Sequence, residues 1–345
     1  MELAGTNLAL MGPNRTWPNM NYQWSQAAAI QMNQQMNAVS SLQQQMASFN
    51  MVDPMLPHQQ MREQQNMASQ IETALQDVSR MTRPTPQEMT AFKECITKLQ
   101  EIVRKLGNEW KVAPFGSAEN GFGSKGSDLD VTCYHTAVSA QDSHRAVQEL
   151  KLSLAPLIQN EPRFRIIEEV WSARVPILKL QWDAHLDVDL SCHNRQALQN
   201  TRYLKCYASM NPLIRNFVLV IKQWAKFEQV CGATIRHLST YSFTLMAIFF
   251  LQVHPGLHPN YRLPCISTAS FDIAADPGDG TDPQGIRWDM DLQLSQVVWD
   301  FFHFYTNEYN WSEEVVSVRL GRRVSRYDPE VSQLAGHVAP RLHIE

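Results

Sequence analysis

Two short stretches in which acids alternate with aliphatic residues do most to limit what this chain can become. Asp128-Leu129-Asp130 and Leu186-Asp187-Val188-Asp189-Leu190 each send their acids to one face of a strand and their aliphatics to the other. The aliphatic faces require a hydrophobic core. The acidic faces require a cation, because carboxylates converging on one surface repel each other unless a positive charge lies between them. Mg²⁺ suits such a surface, being a hard ion bound by carboxylate oxygens together with substrate phosphates. Three carboxylates can hold two such ions about 4 Å apart, the clamp used for in-line displacement at phosphorus.

Ten residues upstream of Asp128 stands Phe115-Gly116-Ser117. A tight Gly-Ser turn offers a hydroxyl and backbone N–H groups to a triphosphate. An Asp-x-Asp pair alone is common at solvated strand ends. The turn at this spacing and a third acid between apolar residues give the pair its meaning. A competing motif lies between them, because Gly121-Phe122-Gly123-Ser124-Lys125-Gly126 satisfies the G-x-G-x-x-G dinucleotide fingerprint. That fingerprint needs a helix starting within it, whereas here Ser127-Asp128-Leu129-Asp130 runs directly into a strand. A Walker A loop is excluded as well, since Gly126 rather than Ser or Thr follows Lys125.

Residues 20–70 are dominated by Gln, Met, Asn, Ala and Ser. Such a segment buries too little apolar surface to offset its ordering entropy, so residues 1–80 are expected to be a disordered tail. Its Met and Gln also suit a helix or a coiled-coil contact with a protein partner. Order is expected from Thr85, where Thr85-Pro86-Gln87-Glu88 reads as a capping box with Pro at the first helical position. Met89, Phe92, Ile96, Leu99, Ile102, Val103 and Leu106 then recur at helical spacing, and Gly107 closes the helix. Strands are predicted at Trp110–Phe115 and Leu129–Tyr134, and around 164–171, 175–182 and 185–191, with a helix over 142–158. From Arg195 the pattern turns helical, over 195–209, 212–229, 239–252 and 291–308, with a further strand at Val315–Arg319. A strand-rich half followed by a helical half predicts an α+β architecture in two lobes, residues 81–194 and 195–345.

Six scattered cysteines with no C-x-x-C pair point to reduced thiols in an intracellular protein rather than a zinc site or disulfide framework. The most apolar run, Phe243 to Val253, is far short of the roughly 20 residues of a membrane span and predicts a buried helix, with no membrane partner. The net charge of −4 leaves no global nucleic-acid footprint. Locally, Arg202, Lys205, Arg215, Lys222, Lys226 and Arg236 face only Glu228, which suggests a basic helical surface for polyphosphate or RNA.

The pattern h-G-S-x₁₀-D-h-D followed by h-D-h resembles the polymerase-β-like nucleotidyltransferases, and more narrowly the terminal uridylyltransferases and cytoplasmic-type poly(A) polymerases. The likeness runs from about Pro86 to Glu345. It extends through Asp189-Leu190-Ser191-Cys192-His193-Asn194, Ala197, Asn200-Thr201, Val220-Ile221-Lys222-Gln223-Trp224-Ala225-Lys226 and Leu238-Ser239-Thr240-Tyr241-Ser242-Phe243. The resemblance implies a nucleotidyltransferase domain with a mixed sheet and a mainly helical poly(A)-polymerase-associated domain. It implies Asp128, Asp130 and Asp189 as catalytic metal ligands for Mg²⁺ or Mn²⁺. The third is Asp189 and not Asp187, because the family places it five residues before the Asn matched to Asn194. Gly116 and Ser117 would meet the nucleotide, Asn200 and Thr201 its ribose, Lys222 and Lys226 its triphosphate, and Tyr241 its base.

The activity implied is template-independent addition of UMP or AMP, from UTP or ATP, to RNA 3′ ends in the cytoplasm, with a nuclear location also open. The alternative is an inactive nucleotidyltransferase fold serving as an RNA-binding or interaction scaffold. Relatives continue past the Ile344-Glu345 pair into a base-selecting loop. The chain is therefore expected to be truncated, and its choice between uracil and adenine stays open.

Overall fold

The computed structural model describes residues 58–138, 143–173, 175–232, 237–266 and 286–331. Order begins earlier than composition predicts, because His58–Thr82 is a 25-residue helix, α1. The disorder expected for residues 1–80 is thus wrong from His58 onward, and residues 1–57 lie outside the described residues. Ile71, Leu75 and Val78 recur at helical spacing on α1 and are buried, with Met67, Ala74 and Met81 packed around them. Average composition hid this stripe, which is enough to hold a helix against a partner surface. Two polar ties fix its register: Ser79 Oγ donates to Asn216 Oδ1 at 2.9 Å, and Glu72 Oε2 accepts from Ser295 N at 2.7 Å.

Helix α2 (Pro86–Val103) opens on the expected capping box, with Thr85 Oγ1 accepting from Glu88 N and the Glu88 carboxylate accepting from Thr85 N. A single 3₁₀ turn follows, and Gly107 at φ +141° ends it. Phe92, Cys95, Leu99, Ile102 and Val103 are its buried residues, while Met89 is exposed. This face lies under a five-stranded mixed sheet of β1 (Trp110–Phe115), β2 (Leu129–His135), β3 (Phe164–Val170), β4 (Ile177–Trp182) and β5 (Leu186–Cys192), in the order β1-β2-β5-β4-β3. Strands β2 and β5 pair in parallel, and the other neighbours are antiparallel. The predicted helix over 142–158 exists in three joined parts: α3 (Ser143–Gln148), a wider π turn (Glu149–Leu154) and α4 (Ala155–Gln159).

After Asn194 come α5 (Arg195–Met210), α6 (Pro212–Phe227), α7 (Thr240–Val253) and α8 (Leu294–His303). Every residue from Phe243 to Val253 is buried, as an apolar helix at the centre of a lobe requires. These helices, with α1, enclose one hydrophobic core, while the sheet, α2, α4 and the π turn enclose another. The predicted strand Val315–Arg319 is largely absent. Glu314–Val315 (β6) pairs with Val324–Ser325 (β7), and Val316 adds a single bridge. Val316 and Val318 point into the helical core, and the Val318 carbonyl accepts from Gln252 Nε2 at 3.0 Å and Tyr203 Oη at 3.3 Å. Side chains thus replace the ladder that alternation alone would have required.

The burial of α1 makes it a structural part of the helical lobe. Leu75, 1% exposed, replaced by Ala is expected to cost about 2–4 kcal/mol of stability, read as a lowered denaturation midpoint. An unchanged midpoint would return α1 to the status of a tail.

Candidate active site

Strands β2 and β5 lie side by side in a register that pairs Asp130 with Asp189 and Leu129 with Val188. Leu129, Val131, Val188 and Leu190 are buried in the sheet's core, which obliges the intervening acids to share the other face. Asp128, immediately before β2, is exposed; Asp130 and Asp189 are half-buried. Burial, then Asp189 and Asp128, push the Asp130 carboxyl up to about 7, with Lys222 opposing. Asp189 is raised as well, first by burial and then by Asp128, against the pull of Lys179. These acids carry a deficit of positive charge.

Gly116 forms the wall beside them. It follows β1 at φ +67°, and a Cβ there would lie 2.3 Å from Asp130 Oδ2. Only glycine allows this backbone to rest against the carboxylate in the left-handed region. Its N–H donates to Thr201 Oγ1 at 2.8 Å, and the Thr201 hydroxyl donates to the Ala197 carbonyl at 2.7 Å. The expectation that this N–H is free for a phosphate is therefore corrected, because α5 of the helical lobe takes it.

A cleft of about 280 Å³ opens between the lobes here. It is lined by Gly116, Ser117, Asp130, Asn200, Thr201, Lys222 and Tyr241, seven of the residues singled out from sequence. Asn120, Thr240 and Thr244 also line it; no sequence signal distinguished these three from ordinary turn and cap residues. Tyr241 is 43% exposed and lines the cleft, which favours a ring open to a ligand over a core residue. Lys222 is buried, its Nζ donating to the Phe122 carbonyl at 2.6 Å. Burial and then Lys226 hold its ammonium down to about 7.

Lys226 departs from its assigned place. Its Nζ donates to Ser124 Oγ at 3.2 Å in the glycine-rich loop and does not line this cleft. The basic helical surface predicted over residues 201–236 is corrected too. Arg202 and Lys222 are buried, which narrows that surface to the exposed Lys205, paired with Glu119, and the half-buried Arg215 and Lys226; Arg236 lies outside the described residues.

The glycine-rich run is a loop clamped on three sides. Lys125 N donates to the Thr82 carbonyl at 2.7 Å, and Gly126 N donates to Glu88 Oε1 at 2.7 Å. Phe122 is fully buried in the helical core. No helix starts within it, so the dinucleotide reading falls.

Three carboxylates are a hard-oxygen set that fits Mg²⁺ or Mn²⁺, and the raised Asp130 supplies the charge reason. Among the described residues, however, the one trio whose donor atoms all lie within 4.8 Å of each other is Glu149, Cys192 and His193, in contact with the buried face of the sheet. Hydrogen bonding accounts for that trio, with His193 Nε2 against one Glu149 oxygen and Arg145 Nε donating to the other at 2.9 Å. The three aspartates are not gathered to that extent, and their places are set by the register of β2 and β5.

The close fit of Gly116 makes Gly116→Ala a sharp probe. The added methyl must displace the Asp130 carboxylate, and we expect a loss of at least about a hundredfold in catalysis, with about 1–3 kcal/mol of strain. Wild-type kinetics in this variant would contradict the packing. Asp130 also gives a pH signature. Its folded-state pKa is raised, so its contribution to stability is present at low pH and lost as pH rises through about 7. In metal-free protein, Asp130→Asn is therefore expected to melt about 2–5 °C higher than the parent at pH 8, the gap closing towards pH 5. A gap independent of pH would refute the assignment.

Comparison with known proteins agrees with this geometry. The family model for the mitochondrial-like poly(A) RNA polymerase central palm domain matches residues 71–209. The Cid1 family poly A polymerase associated domain matches residues 293–345. Poly(A) RNA polymerase gld-2 of Caenorhabditis elegans is 32% identical over 239 residues, 66% of this chain and 21% of that protein. Terminal uridylyltransferase 7 of Homo sapiens is 30% identical over 249 residues, 68% of this chain and 16% of that protein. The chain thus spans a minor part of these relatives' length. The solved GLD-2/RNP-8 complex superposes with a TM-score of 0.68 at 25% identity, covering 76% of this chain and 82% of that one. Cid1 bound to the UTP analogue UMPNPP shares the fold, with a TM-score of 0.62 at 21% identity, over 80% of this chain and 84% of that one. The chain belongs to the family of terminal uridylyltransferases and cytoplasmic-type poly(A) polymerases, on the polymerase-β-like nucleotidyltransferase fold.

Proposed function

We propose that this chain is a template-independent RNA nucleotidyltransferase, transferring UMP or AMP from UTP or ATP to RNA 3′ ends with release of pyrophosphate. The observation that carries the reading is that one cleft holds both Lys222 and Asp130. A buried cation and a half-buried carboxylate in one wall suit a ligand that is itself a polyanion carrying divalent metal. Asp128, Asp130 and Asp189 would hold Mg²⁺ or Mn²⁺, whose chemistry is to acidify the attacking 3′-hydroxyl and neutralise charge growing at the α-phosphate.

The chain's own groups do the rest. Lys222 faces the triphosphate from the cleft floor, Ser117 offers its hydroxyl, and Asn200 and Thr201 lie along the same wall for the ribose. Tyr241 presents a ring on which a base can stack, worth about 1–3 kcal/mol and tolerant of base identity. Lys226, held by Ser124, reaches the phosphates only if the glycine-rich loop yields. Relatives named for adding A and for adding U are about equally similar to this chain, so both nucleotides stay in the proposal.

The retained carboxylates argue against an inert scaffold. Among the described residues no helix is long and apolar enough to cross a membrane. Free cysteines suit a reducing compartment, and we place the protein in the cytoplasm. GLD-2 is solved in a complex with RNP-8, and a protein partner of this chain would engage its Gln- and Met-rich N-terminal segment on grounds of composition alone.

The test is incubation of a labelled oligo(A) RNA with each of the four nucleotides separately, with and without Mg²⁺. Extension is expected with UTP or ATP only. Asp128→Ala is expected to lower it by at least about a thousandfold. Full tailing by Asp128→Ala would overturn the mechanism, and no extension by the parent would overturn the activity.

A further inference from the structure

The nucleotide cleft lies entirely to one side of the aspartates. Its lining comes from β1, the Gly116 turn, Asp130 and helices α5, α6 and α7, and none of it comes from β5 or β4. In-line displacement puts the attacking hydroxyl opposite the departing pyrophosphate. If pyrophosphate leaves towards Lys222, the hydroxyl must arrive across Asp189, over the strand beyond it. The sheet order makes that strand β4.

What β4 presents there is specific. Lys179 is the register partner of Asp189, and Gln181 is the register partner of Asp187. Directly paired residues on antiparallel strands project to the same face, so the Lys179 ammonium stands beside the third catalytic carboxylate. It is the one charged residue of β4. Its side chain is 43% exposed, and its ion pair is a loose one, 3.4 Å to the exposed Glu168. Such a pair holds its partner weakly and exchanges it readily. Gln181 is oriented by Arg165, whose Nη2 donates to its Oε1 at 2.9 Å, leaving its amide 3.4 Å from Asp187 Oδ1. A strand of acceptor RNA meets repulsion from Asp187, Asp189 and Glu168 on this face; of the two cations there, Arg165 is turned to Gln181 beside Asp187, and Lys179 is the one paired in register with Asp189.

We infer that Lys179, with Gln181 beside it on β4, forms a binding site for the last phosphodiester of the acceptor RNA, separate from the nucleotide cleft. The site rests on the activity proposed above. The ammonium exchanges Glu168 for the phosphate and so positions the terminal ribose over Asp189. The same charge lowers the repulsion between that phosphate and the carboxylates.

The experiment measures KM for RNA and for nucleotide separately, in the parent, Lys179→Ala and Lys179→Arg. Lys179→Ala is expected to raise KM for RNA about tenfold, to leave KM for nucleotide unchanged, and to be largely rescued by Lys179→Arg. The dependence of log kcat/KM for RNA on log salt should become shallower by about 0.7, the contribution of one phosphate contact on a single strand. A second arm changes the RNA instead, and its first half needs the parent alone. An acceptor whose last linkage is a neutral methylphosphonate should lose about tenfold with the parent and nothing further with Lys179→Ala.

Losses that add between the two changes, or a fall in kcat with KM for RNA and the salt slope unmoved, would overturn the site and leave Lys179 as a neutraliser of Asp189. The same acceptor extended equally well by the parent would overturn it too. No extension of any RNA by the parent would instead remove the activity, and the site with it.

Discussion

The lateral pairing of Asp130 with Asp189 on neighbouring parallel strands is the constraint around which the rest is organised. Two carboxylates at adjacent register positions are unfavourable in the free protein. They are held there because Leu129, Val131, Val188 and Leu190 are committed to the core on the opposite face. A shift of one residue in either strand would expose the aliphatics and bury the acids. Hydrophobic burial therefore enforces an electrostatic arrangement that the acids would not choose. The cost is visible in the raised Asp130 and Asp189. Bound cation is what can return it.

The lobes are joined at the same place. Thr201 of α5 takes the N–H of Gly116, Lys222 of α6 takes the Phe122 carbonyl, and Phe122 itself is buried among the helices. Each of these contacts crosses from the sheet lobe to the helical lobe within the wall of the cleft. Glu88 adds an economy, since one carboxylate caps α2 and also receives the N–H of Gly126. The glycine-rich run is thus a strap between α1, α2 and α6, and its glycines serve close approach. A Cβ at Gly123 would lie 2.7 Å from the Ser117 carbonyl oxygen, and one at Gly121 would lie 2.7 Å from Ala208 Cβ.

Much of this was legible in sequence where one local rule decided the outcome. The capping box at Thr85, the acid-aliphatic alternation of β2 and β5, and the largely apolar α7 each depend on near neighbours, and each appears as predicted. The failures share a different cause. α1 reads as disordered because its average composition is polar, yet Ile71, Leu75 and Val78 need only one receiving surface, formed by α6 and α8 far along the chain. Val315–Arg319 alternates like a strand, but tertiary donors to the Val318 carbonyl proved better partners than a ladder. Lys222 and Lys226 share a helix face as their spacing implies. Which of them reaches the cleft was decided by Ser124, through a loop path that no periodicity encodes. The choice of Asp189 over Asp187 came from family resemblance and not from periodicity; in the fold, Asp189 is the one in register with Asp130.

The cleft also has a charge logic that links its two ligands. Asp130 and Lys222 line the same space, and each is displaced towards neutrality, the acid up to about 7 and the amine down to about 7. Burial is the first cause for both, so neither group secures full ionisation from the other. A divalent cation favours ionised Asp130, and a triphosphate favours protonated Lys222. Either ligand alone leaves one of these groups without its counter-charge, in a wall that solvates it poorly. Bound together they satisfy both, and they also neutralise each other. The affinity of each is therefore raised by the other, as linkage requires when one site charges another. If the cleft takes the nucleotide proposed above, it should take it most tightly as the metal complex, because only that complex carries both charges the wall lacks.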